Sequence, residues 1–347
     1  MHKPLRRAVS RRRTALGVML AVACAAASSL SAHAASALPG QGITVAPLRS
    51  SLAEEAFQTL LVSRGLQRLG YTVEPAKEVE PATAHLAVAN GDATFMANHW
   101  SGLHQAFYVR SGGDAKLWHS EAYISGAAQG YLIDRKTAEQ YHINNMAQLR
   151  DPKIARLFDA DGDGKADLAG CTPGWGCELV VENHLTAYKL RKTVTHQQGN
   201  YPALMADVIQ RHKLGKPVLY YTWTPYWVSA ELVPGKDVVW LEVPFSSVPG
   251  GKKVDTRRPN GKDYGTLPSV QRIVANRAFI DGNPAAAKLF SLMQLPIADI
   301  NAQNLRMRDG EDKPVDVARH TDAWISAHQQ EFDDWITQAL AAAQPGR

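Results

Sequence analysis

The sequence predicts an α/β fold with mainly parallel sheets, arranged as two lobes with a cleft between them. Strand-like and helix-like segments alternate along most of the chain, the pattern that builds sheets flanked by helices. Two segments, 35–126 and 246–347, flank a middle segment, 127–245; this division gives one lobe both chain ends and the other the middle. Trp100 and Trp223 each follow a strand-like run. Open α/β sheets place ligands at such carboxyl ends.

Residues 1–34 read as an address outside the fold. Lys3, Arg6, Arg7 and Arg11 to Arg13 precede an apolar run from Ala15 to Ala27, and Ala32-His33-Ala34 has the small-x-small pattern of a secretory cleavage site. Cleavage after Ala34 leaves a soluble exported chain from Ala35, with Cys24 removed. Removing the six basic residues of that segment takes the net charge from +5 to about −1, so no basic field remains for nucleic acid. No later stretch is long and apolar enough to span a bilayer. An exported chain left with one close cysteine pair, Cys171 and Cys177, reads as carrying one disulfide.

Ile43-Thr44-Val45 is a short strand. Ser51 starts a helix, with Glu54 at capping-box spacing, Phe57, Leu60, Leu61 and Leu69 on its apolar face, and Gly70 ending it. Tyr71-Thr72-Val73 resumes as strand, 84–90 is a helix stopped by Gly91, and 93–96 is a strand leading to Trp100. The middle segment opens with a strand at 129–133, then helical stretches at 137–141 and 146–149. A helix begins at Gly176-Cys177, another runs from Pro202 to His212, and a strand at 218–221 precedes Trp223. Residues 238–243 form a strand, 244–265 a Pro- and Gly-rich connection, and 273–275 a returning strand. A helix from Pro284 to Met293 and one long helix from Asp316 to Ala342 close the chain.

The chemistry concentrates in Cys171-Thr172-Pro173-Gly174-Trp175-Gly176-Cys177 together with Trp100 and Trp223. A quaternary ammonium has no N–H to donate, so aromatic faces suit it better than hydrogen-bond acceptors do. Each contact contributes about 0.5–2 kcal/mol, with Trp the best face, so three indoles give roughly 2–6 kcal/mol. Micromolar binding needs about 8 kcal/mol, so a second grip is required. The helix start at Gly176-Cys177 supplies one, because its free N–H groups and positive dipole end favour a carboxylate. Gly176 lets backbone approach the ligand closely. The ligand described is a small zwitterion such as glycine betaine. Trp118, Trp227, Trp240, Trp324 and Trp335 read as core.

Nearly the whole mature chain resembles the periplasmic glycine betaine/proline betaine-binding proteins of osmoprotective ABC importers. The likeness runs through 55–64, 126–134, 171–178, 220–229 and 299–304. It implies a two-lobed, type II binding-protein fold closing on its ligand. It places the cage on Trp100, Trp175 and Trp223, the carboxylate on the Gly176 and Cys177 N–H groups and the His104 side chain, and the disulfide on Cys171–Cys177. The implied partners are a membrane permease and its ATPase subunit, served by a monomer that needs no cofactor. Ser101-Gly102 replaces a Thr-Pro type pair and is expected to loosen the Trp100–His104 turn.

Two further motifs carry expectations. Asp159, Asp161, Asp163 and Asp167, with Gly162 at the sixth position, suit a structural calcium ion, although the twelfth position is Gly170 rather than a bidentate Glu. His99 and His104 are the best start for an alternative, a metal-dependent periplasmic hydrolase, but no HExxH, GxSxG or phosphate loop accompanies them. Choline or carnitine are alternative ligands of the same cage.

Overall fold

The computed structural model describes residues 37–344, except 252 and 268. The expected signal peptide, Cys24 and the cleavage site after Ala34 lie outside these residues. The first elements are β1 (Thr44–Val45), β2 (Pro47–Arg49), α1 (Glu55–Arg68), β3 (Thr72–Val73), β4 (Lys77–Glu78), α2 (Pro81–Asn90) and β5 (Phe95–Trp100). Helix α1 forms as its apolar spacing predicts, but the expected capping box does not. Glu54 is the N-cap without a side-chain bond. The Ser50 N–H and hydroxyl instead donate to Glu55 at 2.9 and 2.8 Å, and the Ser51 hydroxyl donates to Glu80 at 2.6 Å. Tertiary partners outcompete the local cap.

There follow α3 (Gln105–Arg110), β6 (Leu117–His119) and the long β7 (Ile124–Asp134). The middle of the chain adds α4 (Arg135–Tyr141), α5 (Pro152–Ala155), β8 (Ala166–Ala169), α6 (Gly176–Ala187), β9 (Val194–Gln197), α7 (Tyr201–Lys213), β10 (Leu219–Thr224), α8 (Val228–Glu231) and β11 (Val238–Leu241). The chain returns through β12 (Ser269–Asn276), α9 (Arg277–Gly282), α10 (Pro284–Leu292), α11 (Ile297–Arg308), α12 (Pro314–Ala327) and α13 (Gln329–Ala342). The expected single helix over 316–342 is thus two. His328 breaks it at φ −115°, its ring stacked on Trp324 at 4.2 Å and its Nδ1 bonded to the Trp324 carbonyl.

Strands run in the order β4-β2-β5-β12-β7-β10-β8-β9, with β6 added on β12 and β11 on β7. The wings pair parallel, β4-β2-β5 on one side and β10-β8-β9 on the other. The strands joining them, β12 and β7, pair antiparallel with their neighbours. β7 pairs β12 through Ile124 and Ala127, then β10 from Ala128 onward. At that crossing Gly126 has φ +86°, a left-handed conformation that side chains disfavour. Two large hydrophobic cores result. One gathers side chains from 131–243, such as Tyr131, Phe158 and Tyr220. The other combines the two chain ends, as where Phe95 packs on Phe290. The elements on these cores are called the middle and outer lobes below.

Candidate functional site

A cavity between the two cores collects residues from the ends of several elements. Its size is about 50 Å³, on the scale where one water needs roughly 10–15 Å³, which suits a small molecule. Trp100, His104, Trp175, Gly176, Cys177 and Trp223, all anticipated from the sequence, line it together. None of the five tryptophans assigned to the core does.

The middle lobe builds one wall. Trp223 lies within β10 rather than beyond it, because the pairing with β7 runs on to Thr224. Its ring stacks on Tyr201 at 4.7 Å and packs on Tyr226 at 4.8 Å. Trp175 meets Trp223 edge-on at 5.9 Å and 66°, so two indoles present differently oriented faces. The Cys171–Cys177 disulfide closes the loop that carries Trp175. His196 braces that loop: its Nε2 accepts the Cys171 N–H at 3.1 Å and its Nδ1 bonds Glu182 at 2.8 Å. Trp175 caps α6 without a side-chain bond. Among the described residues the N–H groups of Gly176 and Cys177 meet no acceptor, so both are free to bind an anion.

The outer lobe supplies the opposite wall from one tight turn. Trp100 ends β5, and its carbonyl accepts the His104 N–H at 2.7 Å. The Trp100 N–H donates back to His104 Nδ1 at 3.2 Å. Ser101 and Gly102 do not open this turn, since their N–H groups are tied to Val270 and Ser269. Because Nδ1 accepts, the proton of the neutral ring sits on Nε2, which becomes a donor. Burial, with His85 beside it, holds His104 well below the ordinary imidazole range and keeps it neutral. The Cδ2 edge of that ring faces Gly176: a Cβ on Gly176 would meet His104 Cδ2 at 2.9 Å and Leu103 Cγ at 2.5 Å.

Glu55 also lines the cavity and escaped the sequence reading. Its Oε2 takes Ser50 and the Asn98 amide, and burial pushes its carboxyl up to about 7. Nothing local marks Glu55, because its role comes from strands brought over α1. His99 turns away from the cavity into a buried cluster with His85 and His104. His85 Nδ1 bonds the Pro81 carbonyl at 2.6 Å and its Nε2 bonds His99 Nδ1 at 2.8 Å. These bonds assign each ring a neutral tautomer.

The acidic loop closes on itself. Asp159 accepts the N–H groups of Gly162 and Gly164, Asp161 that of Asp163, Asp163 that of Lys165, and Asp167 that of Ala160. Asp159, Asp161 and Asp167 have oxygens within 4.8 Å of one another, and Asp163 stands outside that group.

Residues 43–326 match the OpuAC family, the substrate binding domain of ABC-type glycine betaine transport systems. The chain is 59% identical to the glycine betaine/proline betaine-binding periplasmic protein of Escherichia coli K12, across 94% of this chain and 98% of that one. It is 57% identical to the glycine betaine-binding periplasmic protein OusX of Dickeya dadantii, with the same coverage. Lactococcal OpuAC, closed on glycine betaine, shares the fold at TM-score 0.63 and 18% identity, over 85% of this chain and 99% of that one. A choline-binding protein of an ABC transporter, with choline bound, shares it at 0.67 and 18%, over 86% and 96%. Both have the type II binding-protein architecture. With a matched segment covering most of its length, the chain belongs to the family of substrate-binding domains of ABC-type glycine betaine transport systems.

Proposed function

We propose that this chain captures glycine betaine, and proline betaine with it, and hands it to an ABC importer. The observation that carries this reading is the meeting of three indoles and two unused helix-start N–H groups in one small cavity. Trp100, Trp175 and Trp223 take the trimethylammonium, whose spread charge suits aromatic faces. The N–H groups of Gly176 and Cys177 and the Nε2–H of His104 take the carboxylate. No bond is made or broken; the protein is a carrier and not an enzyme.

The clamp has lobes formed by 35–126 with 246–347, and by 127–245. Ligand contacts both walls, so it binds the closed form better than the open one and shifts the population toward closure. The closed monomer then docks on a permease, and a separate ATPase subunit supplies the energy. The site of action is the periplasm, reached by cleavage after Ala34. Structural calcium, if the loop takes it, sits on Asp159, Asp161 and Asp167, whose oxygens lie within 4.8 Å of one another.

Isothermal titration of the ligand-stripped protein tests the proposal. One-to-one micromolar binding of glycine betaine, tighter than choline or proline, is the expected result. Choline lacks the carboxylate and proline lacks the methyls, so each forfeits one of the two grips. Folded, empty protein that gives no heat with betaine would sink the ligand assignment, and choline binding tighter than betaine would redirect it.

A further inference from the structure

We propose that Glu80 is a positioning residue for the cage: its carboxylate holds the Trp175 indole across the cleft and couples lobe closure to cage assembly. The proposal rests on the cage reading above. Glu80 is the N-cap residue of α2 in the outer lobe, and Trp175 is that of α6 in the middle lobe. The Trp175 Nε1–H donates to Glu80 Oε2 at 2.5 Å. The Ser51 hydroxyl donates to Oε1 at 2.6 Å. Two donors therefore fix the carboxylate plane, and the carboxylate in turn fixes the ring.

An indole carries one polar group, its N–H, so a single acceptor decides which way the ring faces. A carboxylate acceptor makes the bond about twice as strong as a neutral one. Glu80 itself does not line the cavity, while its neighbour Pro81 does. It acts on ligand only through Trp175. In an open molecule the N–H faces water and the ring is free to turn. Closure supplies the acceptor, so the third cage face is set at the moment the outer wall arrives. The bond belongs only to the closed form and thus favours it.

A double-mutant cycle tests this. Betaine is titrated into wild type, Glu80→Ala and Glu80→Gln, and into Trp175→Phe with and without Glu80→Ala. Phe keeps an aromatic face but has no N–H. Glu80→Ala is expected to weaken binding about tenfold. Glu80→Gln keeps an acceptor oxygen and recovers most of the loss. In the Trp175→Phe background Glu80→Ala changes affinity less than about twofold, since the bond is already gone. A second readout is the ¹⁵N-labelled indole resonance that Trp175→Phe removes: Glu80→Ala shifts it upfield. Wild-type affinity in Glu80→Ala, or an equal loss in the Trp175→Phe background, overturns the proposal. Lack of betaine binding by wild type overturns the ligand instead; the indole resonance is then read in protein closed with choline or carnitine, and no shift with Glu80→Ala refutes the latch.

Discussion

The two walls of the cavity are built differently. The middle-lobe wall is braced within its own lobe, all but the Trp175 ring: a disulfide closes its loop, Tyr201 and Tyr226 back Trp223, and His196 braces Cys171. The outer-lobe wall offers single residues on one turn, Trp100 and His104, over a half-buried Glu80 and a buried Glu55. A prebuilt wall lowers the ordering cost of the first encounter. A sparse wall that arrives later gives closure something to gain. In the proposed clamp, this difference puts first binding on the middle lobe and commitment on the outer one.

The sharpest way to break this division is Gly176→Ala. Its Cβ would sit 2.5 Å from Leu103 Cγ and 2.8 Å from the Leu103 carbonyl, which belongs to the opposite wall. The clash exists only when the lobes meet. Betaine affinity should fall by about a thousandfold, roughly 4 kcal/mol, while thermal unfolding of the ligand-free protein stays unchanged. A fall in stability as large as the fall in affinity would show that Gly176 serves folding instead.

The outer wall also carries a cost that grows as pH rises. Glu55 is raised from 4.5 to about 7 by burial, against the donors Ser50 and Asn98 and the nearby Arg49. A carboxyl whose folded pKa exceeds its unfolded one contributes stability fully present below pH 4.5 and lost as pH rises through about 7. The shift corresponds to about 3 kcal/mol. Urea unfolding at pH 4.5 and 7.5 should therefore show a larger alkaline loss in wild type than in Glu55→Gln. Equal pH dependence in the two proteins would mean that Glu55 keeps an ordinary pKa.

How much of this was legible in the sequence follows the same division. The middle wall is largely one contiguous loop, 171–177, whose cysteines, glycines and indole announce their geometry at short range. Trp100 and Trp223 were placed beyond strand ends, although both proved to lie within their strands, Trp100 as the last residue of β5 and Trp223 as the last but one of β10. Glu80, Leu103, Tyr201 and Tyr226 carried no local sign, because tertiary packing brings them to the cage from separate elements. The Ser51–Glu54 capping box and the unbroken C-terminal helix failed for a related reason. Glu55, Glu80 and the His328–Trp324 stack offered those groups partners that a sequence window does not contain.

Smaller effects separate the residues within each wall. Trp100→Ala, Trp175→Ala and Trp223→Ala should each weaken betaine at least about tenfold, or 1.4 kcal/mol. Trp223→Ala should also loosen Tyr201 and Tyr226 and lower thermal stability, whereas Trp100→Ala should not. His104→Ala should cost betaine about tenfold and choline less than about threefold, because only betaine brings a carboxylate to Nε2–H. Equal losses for both ligands would move His104 from the carboxylate grip to simple packing.

The smallest effect expected comes from an ion pair between the walls' supports. Arg308 of α11 pairs with Glu231 of α8 at 2.8 Å, with both side chains about 30% exposed. Such a pair is worth about 0–1 kcal/mol and is screened by salt. Glu231 also keeps Lys213 at 3.9 Å, so losing Arg308 leaves no isolated charge. Arg308→Ala should thus weaken betaine binding by about twofold in low salt and not at all at about 1 M, where the Debye length is about 3 Å. A tenfold, salt-resistant loss would place the closing force at this ion pair, and the contrast between a prebuilt wall and an arriving one would no longer explain closure.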